Sequence, residues 1–249
     1  MRKSKYLVLS SFYFNFNDNL SKIIKINELF KKQNILDLFR FDKIKIIIAE
    51  EFSKHENLNF IYLPVSIEKI DEYSFWNCKI QILDLSKCLK LKLIDPSCFE
   101  HNQLKQLKLP ENIEIIGEFA FYINQIEILD LSNCIKLKNI NNFAFKYNQI
   151  KQLKLPNNIE EIECSAFANN QIESLDLSNY TKLKYIMDNV FSNNPLNEIK
   201  ILDNINVDYY NYTEYKDDMW NKFAIYYNDN NKKEGDYKLE NNKWKWYPL

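Results

Sequence analysis

His55 and His101 are the only imidazoles in this chain of 249 residues, and two glycines and five cysteines complete a sparse supply of the residues that catalysis uses most. A Gly-rich phosphate cradle cannot be built from them, nor can a metal site or triad that needs several imidazoles. Each histidine falls two or three residues after a phenylalanine, Phe52 or Phe99, a spacing that puts both in surface turns with no Ser or Cys nucleophile assignable beside them. Cys88 and Cys134 hold equivalent places two repeats apart. In stacked strands that is about 10 Å, beyond the ~7 Å Cα limit of a disulfide. Cys98 fills a small core slot before Phe99, and the five thiols read as reduced. Neither catalysis, a cofactor nor a metal is expected.

Charge narrows the partners. Lys and Arg number 33 against 34 Asp and Glu, a net charge of −1, so no overall field recruits nucleic acid or an anionic membrane. No window approaches the roughly 18 apolar residues of a membrane span. The basic start, Met1 to Lys5, precedes a short apolar stretch that Ser10, Ser11 and Asn15 dilute, and no small-residue cleavage site follows. It reads as an N-terminal strand. With the reduced thiols this predicts a soluble, cytoplasmic protein, an extracellular or surface location being the alternative.

The elements that must position any site come from a repeat. Blocks begin at Leu58, Ile80, Leu104, Ile126, Ile150, Ile172 and Leu196, so the spacing alternates 22 and 24 and the true unit is a 46-residue pair. A short block reads Leu104-x-x-Leu107-x-Leu109-Pro110, then Ile113, Ile116, Ala120-Phe121 and Asn124. A long block reads Ile126-x-x-Leu129-x-Leu131, then Leu137, Ile140, Ala144-Phe145 and Asn148. Both extra residues of the long block fall between its last strand Leu and the next anchor, which predicts one surface bulge per pair. Each Leu-x-x-Leu-x-Leu gives a short strand whose alternate side chains face one core. The chain turns, returns through the Ile anchors and starts the next strand one rung up, making a solenoid whose ends need caps. Pro64, Pro110 and Pro156 punctuate the exits of the short blocks.

These blocks, from about Gln33 to Val207, resemble the leucine-rich repeats of the BspA-like type, with their strand, exit Pro, Ile-x-x-Ile, Ala-Phe and Asn. The resemblance implies a solenoid with a parallel β-sheet of about eight short strands, an irregular or short-helical returning side, and a role in adhesion or protein–protein interaction. Bacterial members are commonly secreted surface proteins. The predicted organisation is an N-terminal cap over residues 1–32, repeats over 33–207 and a C-terminal cap over 208–249.

Stacking the blocks exposes columns. Between the two strand leucines the series Asp84, Lys108, Asp130, Lys154, Asp176, Lys200 alternates in sign on strands ~4.8 Å apart, which predicts a self-neutralised charge ladder that fixes rung order. Tyr62 precedes it in the same column. The neighbouring column, Phe60, Ile82, Gln106, Ile128, Gln152, Ser174, Glu198, places bulky apolar groups where solvent should be. Phe60, Tyr62, Ile82, Asp84, Gln106, Lys108, Ile128, Asp130, Gln152 and Lys154 therefore form the candidate docking strip for a protein partner. The Asn column (Asn102, Asn124, Asn148, Asn170, Asn194) is expected to adopt the left-handed conformation and bond the next rung.

From Asp208 the repeat gives way to aromatics. Lys222 to Tyr227, Tyr237 to Leu239 and Lys243 to Tyr247 read as strands of a small β-meander around the turn residues 228–236. The run Phe223-x-x-Tyr226-Tyr227…Gly235-x-Tyr237…Trp244 is similar to the short aromatic tails that follow such repeats in some family members. It is expected to cap the last rung, with a surface platform for sugar as the alternative. The function predicted is a non-catalytic interaction scaffold; a structural or adhesive surface protein is the second reading.

Overall fold

The computed structural model describes residues 34–39, 44–209 and 218–249; the cap expected over residues 1–32 lies outside them. Each rung supplies a strand from its Leu-x-Leu segment and a two-residue strand from its Ile anchor. In chain order these are β1 (Ile35–Asp37) and β2 (Ile46–Ile47), β3 (Phe60–Tyr62) and β4 (Lys69–Ile70), β5 (Ile82–Asp84) and β6 (Leu93–Ile94), and β7 (Gln106–Lys108) and β8 (Ile115–Ile116). They continue as β9 (Ile128–Asp130) and β10 (Asn139–Ile140), β11 (Gln152–Lys154) and β12 (Glu161–Ile162), β13 (Ser174–Asp176) and β14 (Tyr185–Ile186), and β15 (Glu198–Ile201) and β16 (Asn206–Val207). The returning side is thus partly regular: β6 through β16 form one parallel six-stranded ladder.

The strand face is not one continuous sheet. Strands pair over three residues at β1–β3, β5–β7, β9–β11 and β13–β15, each time from a long block into the short block that follows. From short to long, β3–β5 pair at one residue only, and β7 and β9 belong to different sheets, as do β11 and β13. The same bond closes every pair: Leu38, Leu85, Leu131 and Leu177 N–H donate to the carbonyls of Tyr62, Lys108, Lys154 and Lys200 at 2.7–2.8 Å. The 46-residue unit is a physical module of two rungs. Short rungs leave through Pro110 and Pro156, which have no N–H to extend the ladder. Bulge side chains of the long rung reach into the gap: the Tyr180 hydroxyl accepts from Leu155 N at 3.1 Å, and the Cys88 thiol donates to Pro64 O at 3.7 Å.

Inside, the modules are continuous. Phe52, Phe75, Phe99, Phe121, Phe145, Phe167 and Phe191 stack one per rung, with centroids 5.1–5.6 Å apart and planes within 11°. Beside them runs the Asn column, buried throughout. Asn148 Nδ2 donates to Phe121 O of the rung below and to Phe145 O of its own, and Oδ1 accepts from Ile126 N at 3.1 Å. Asn102, Asn124, Asn170 and Asn194 repeat the pattern. The amides therefore bond the preceding turn, not the next one, because the side chain leans back over the rung already laid down. The column is also not left-handed. Positive φ occurs two residues before and two after each core Phe, as at Phe119 and Ile123 around Phe121, and Phe143 and Tyr147 around Phe145.

The C-terminal segment ends the stack differently from the expected meander. Lys222–Tyr227 lies in helix α1 (Met219–Asp229), capped by the Asp218 carboxylate, which accepts from Asn221 N. Trp220, Phe223, Ala224 and Tyr227 recur at helical spacing and are buried. Helical period, not the aromatic and β-branched composition, decides this segment. Strands β17 (Gly235–Glu240) and β18 (Lys243–Tyr247) form as expected, and their third antiparallel partner is the last rung itself, β15. Trp220 meets Phe191 edge-on at 5.0 Å and closes the Phe stack. Gly235 is required here, since a Cβ would fall 2.1 Å from the Trp246 indole nitrogen that donates to Glu234 O.

Candidate functional site

On every module the middle residue of the strand is turned into the core and the two flanking residues face outward. Ile82, Asp84, Gln106, Lys108, Ile128, Asp130, Gln152 and Lys154 are exposed, as is Tyr62, while Phe60 is half-buried in register with Ile82. Ile128 is 59% exposed and Tyr62 53%. Pairing places Asp84 beside Lys108 and Asp130 beside Lys154, and both form ion pairs, at 3.8 and 3.5 Å. Such exposed pairs contribute about 0–1 kcal/mol each. Ser132, through its hydroxyl and amide, holds the Asp130 carboxyl below the usual carboxylate range, with help from Lys154. Burial pushes Asp84 up, but Ser86 and Lys108 outweigh it and leave this carboxyl low as well.

Two further alternating columns escaped the sequence reading although the same stacking of blocks contains them. Lys45–Glu68, Lys92–Glu114 and Lys138–Glu160 pair at 3.0, 3.3 and 2.8 Å along the returning ladder, and Glu127–Lys151 at 3.4 Å beside the strands. Each joins a long rung to the short rung of its own module. A third feature was missed because four of its six rings, on His101, Phe119, Phe143 and Tyr147, stand at left-handed positions that bulky residues rarely take. Trp76, His101, Tyr122 and Tyr147 run along the outer edge with ring centroids 5.5–6.3 Å apart. Phe119 stacks on Phe143 at 4.7 Å and meets Tyr122 edge-on. His101 belongs to this edge and lies near Glu100, Nε2 to Oε1 3.5 Å, whereas His55 is buried rather than in the surface turn its spacing suggested.

The thiols are inert by environment. All five cysteines are free, and burial pushes Cys78 up to about 12 and Cys88 and Cys134 up to about 11. Cys164, half-buried, donates to Asp188 Oδ1 at 2.9 Å, and burial followed by that hydrogen bond raises it to about 12. Among the described residues no three His, Cys, Asp or Glu side chains converge to hold a metal, and no helix is long and apolar enough to cross a membrane. Of the tail aromatics, Trp220, Phe223, Tyr227, Tyr237 and Trp244 are turned inward, and burial pushes the Tyr237 hydroxyl up to about 12.

A search of the curated proteins finds no match. Among solved structures, the chain is similar to a leucine-rich repeat protein from Bacteroides ovatus ATCC 8483, at 16% identity and a TM-score of 0.40, over 78% of this chain and 65% of that one. The chain thus spans about two-thirds of that protein's length. A family profile described as BspA type leucine rich repeat region matches in six copies, over residues 22–137 and 125–215. Register, Phe stack, Asn column and profile agree, and the chain belongs to the BspA-type leucine-rich repeat family, whose repeat scaffolds are typical of protein-interaction or adhesion roles.

Proposed function

We propose that this chain is a non-catalytic scaffold that docks a protein partner on its strand face. The observation that carries the reading is the set of apolar side chains, Tyr62, Ile82 and Ile128, held at the surface between neutralised charge pairs. A surface with its charges already paired selects against nucleic acid and against strongly charged partners, and exposed apolar groups on a rigid frame gain by burial. Gln106, Gln152, Asp84, Lys108, Asp130 and Lys154 supply a polar rim. Unpaired thiols suit a reducing compartment, which supports a cytoplasmic setting.

The test is quantitative affinity capture from cell extract with wild type, Ile82→Glu/Ile128→Glu, and a control altered on the outer edge, Phe119→Asn/Phe143→Asn, with circular dichroism confirming that each folds. A partner that loses about tenfold or more in affinity with the Ile variant alone is the expected result. Retention by the Ile variant overturns the assignment of the strip.

A further inference from the structure

The outer edge combines two features that the rest of the molecule avoids. In the C-terminal rungs its left-handed positions are filled by the small Ser165 and by Asn169, Asn189 and Asn193, Asn being a residue that takes positive φ easily. In the middle rungs Phe119, Ile123, Phe143 and Tyr147 take the same conformation, with φ of 51–59°. A β-branched or aromatic residue there is strained, and these side chains are not in the core: Tyr147 is 45% exposed and the other three half-buried. Strain kept for the sake of a surface ring points to recognition.

Charge is the second feature. The three columns described above alternate in sign and pair off, but the turn next to the aromatic edge carries Asp71, Asp95, Glu118 and Glu163 in four of five consecutive rungs, the rung 126–149 having Asn141 and Asn142 there, with Glu100 beside His101. Their burden is visible in the carboxyls themselves. Burial raises Asp95, reinforced by Asp71 and Glu72 against Lys69, and burial raises Glu163, reinforced by Glu161 and Glu118 against the Asn142 N–H that its Oε2 accepts. The rings already hold ammonium groups: Lys54 Nζ lies 5.0 Å from the Trp76 centroid, and Lys146 Nζ 5.1 Å from Phe143 and 5.3 Å from Tyr147. At one end a recess of about 220 Å³ is lined by Glu50, Ser53, Lys54, Tyr73 and Trp76, which joins aromatic walls to a carboxylate.

We propose that this edge is a second interaction surface, separate from the strand face, and that it takes an extended, arginine-rich segment of a protein partner laid along the solenoid axis. Guanidinium planes stack on the rings from Trp76 to Tyr147 and pair with the carboxylates of Glu100, Glu118 and Glu163. Its net negative charge and its aromatic faces select arginine over an acidic or neutral chain.

The probe is a fluorescently labelled dodecapeptide of alternating Arg and Ser, compared with one of alternating Glu and Ser, titrated by anisotropy against the full chain at low and at moderate salt. The Arg peptide should bind, more weakly as salt rises, and the Glu peptide should not. Phe119→Asn/Phe143→Asn, which puts at these sites the residue the C-terminal rungs already use, should keep or raise the melting temperature and weaken binding about tenfold. Glu118→Gln/Glu163→Gln should weaken it comparably, while Ile82→Ser/Ile128→Ser, on the strand face, should leave it unchanged. No binding of the Arg peptide, undiminished binding by the Phe variant, or equal loss in the strand-face variant overturns the proposal.

Discussion

The strand face and the Phe column are built from the same blocks, yet one is segmented and the other is not. On the face, backbone pairing and ion pairs tie rungs two by two, and between modules the middle strands part. In the interior, rings and amides pass through every module boundary at one spacing, from Phe52 to Trp220. Cohesion along the axis thus resides in the column and in the returning ladder, where β8–β10 and β12–β14 pair across module boundaries, rather than in the strand face. The ion pairs of the face thus serve the module, while the apolar Tyr62, Ile82 and Ile128 beside them stay exposed.

The comparison breaks most readily in the column. Phe145→Ala empties a stacked site with neighbours at 5.2 and 5.6 Å and should cost about 3–5 kcal/mol in denaturant unfolding. An unchanged melting temperature would show that the column does not carry the fold. Tyr180→Phe tests the gap between modules: it removes the one side-chain acceptor of Leu155 N and should cost about 1 kcal/mol. If unfolding of this variant separates into two transitions, the junction is where cooperativity is lost. The face should respond least. Asp130→Asn deletes a carboxylate whose folded pKa lies below its ordinary value. Its contribution is therefore present above the unfolded pKa and disappears as pH falls through the folded one. The variant should lose under about 1 kcal/mol at pH 7 and match wild type in strong acid, while high salt, which screens Lys154 but not the Ser132 hydrogen bonds, should only narrow the gap.

Most of the scaffold is legible in the amino-acid order. The alternation of 22 and 24 fixes the rungs, and the position of the two extra residues locates the bulge at Cys88, Cys134 and Tyr180. The pairing of rungs was readable as a period but not as a break in the sheet, because Pro110 and Pro156 mark an exit without saying what the next strand does. Helix α1 was hidden by composition: Phe-Ala-Ile-Tyr-Tyr is a strand-like string whose burial follows a helical period set by Asp218. The outer edge was hidden for a different reason. Phe119, Ile123 and Phe143 occupy a backbone conformation that residue statistics assign to Asn or Gly, so their exposure follows only from the turn that carries them.

The ion pairs that join long to short rungs also set a rule of arithmetic for the gene. Loss of the single rung 126–149 would set Lys108 beside Lys154, Lys105 beside Lys151 and Glu114 beside Glu160, three repulsions where there had been attractions. Loss of two rungs, 104–149, would set Asp84 beside Lys154 and Lys92 beside Glu160, both attractive, and Lys151 beside the neutral Gln81, with no like charges opposed. A change of 46 residues keeps like charges apart, whereas a change of one rung opposes them, at a cost of a few tenths to about 1 kcal/mol per contact.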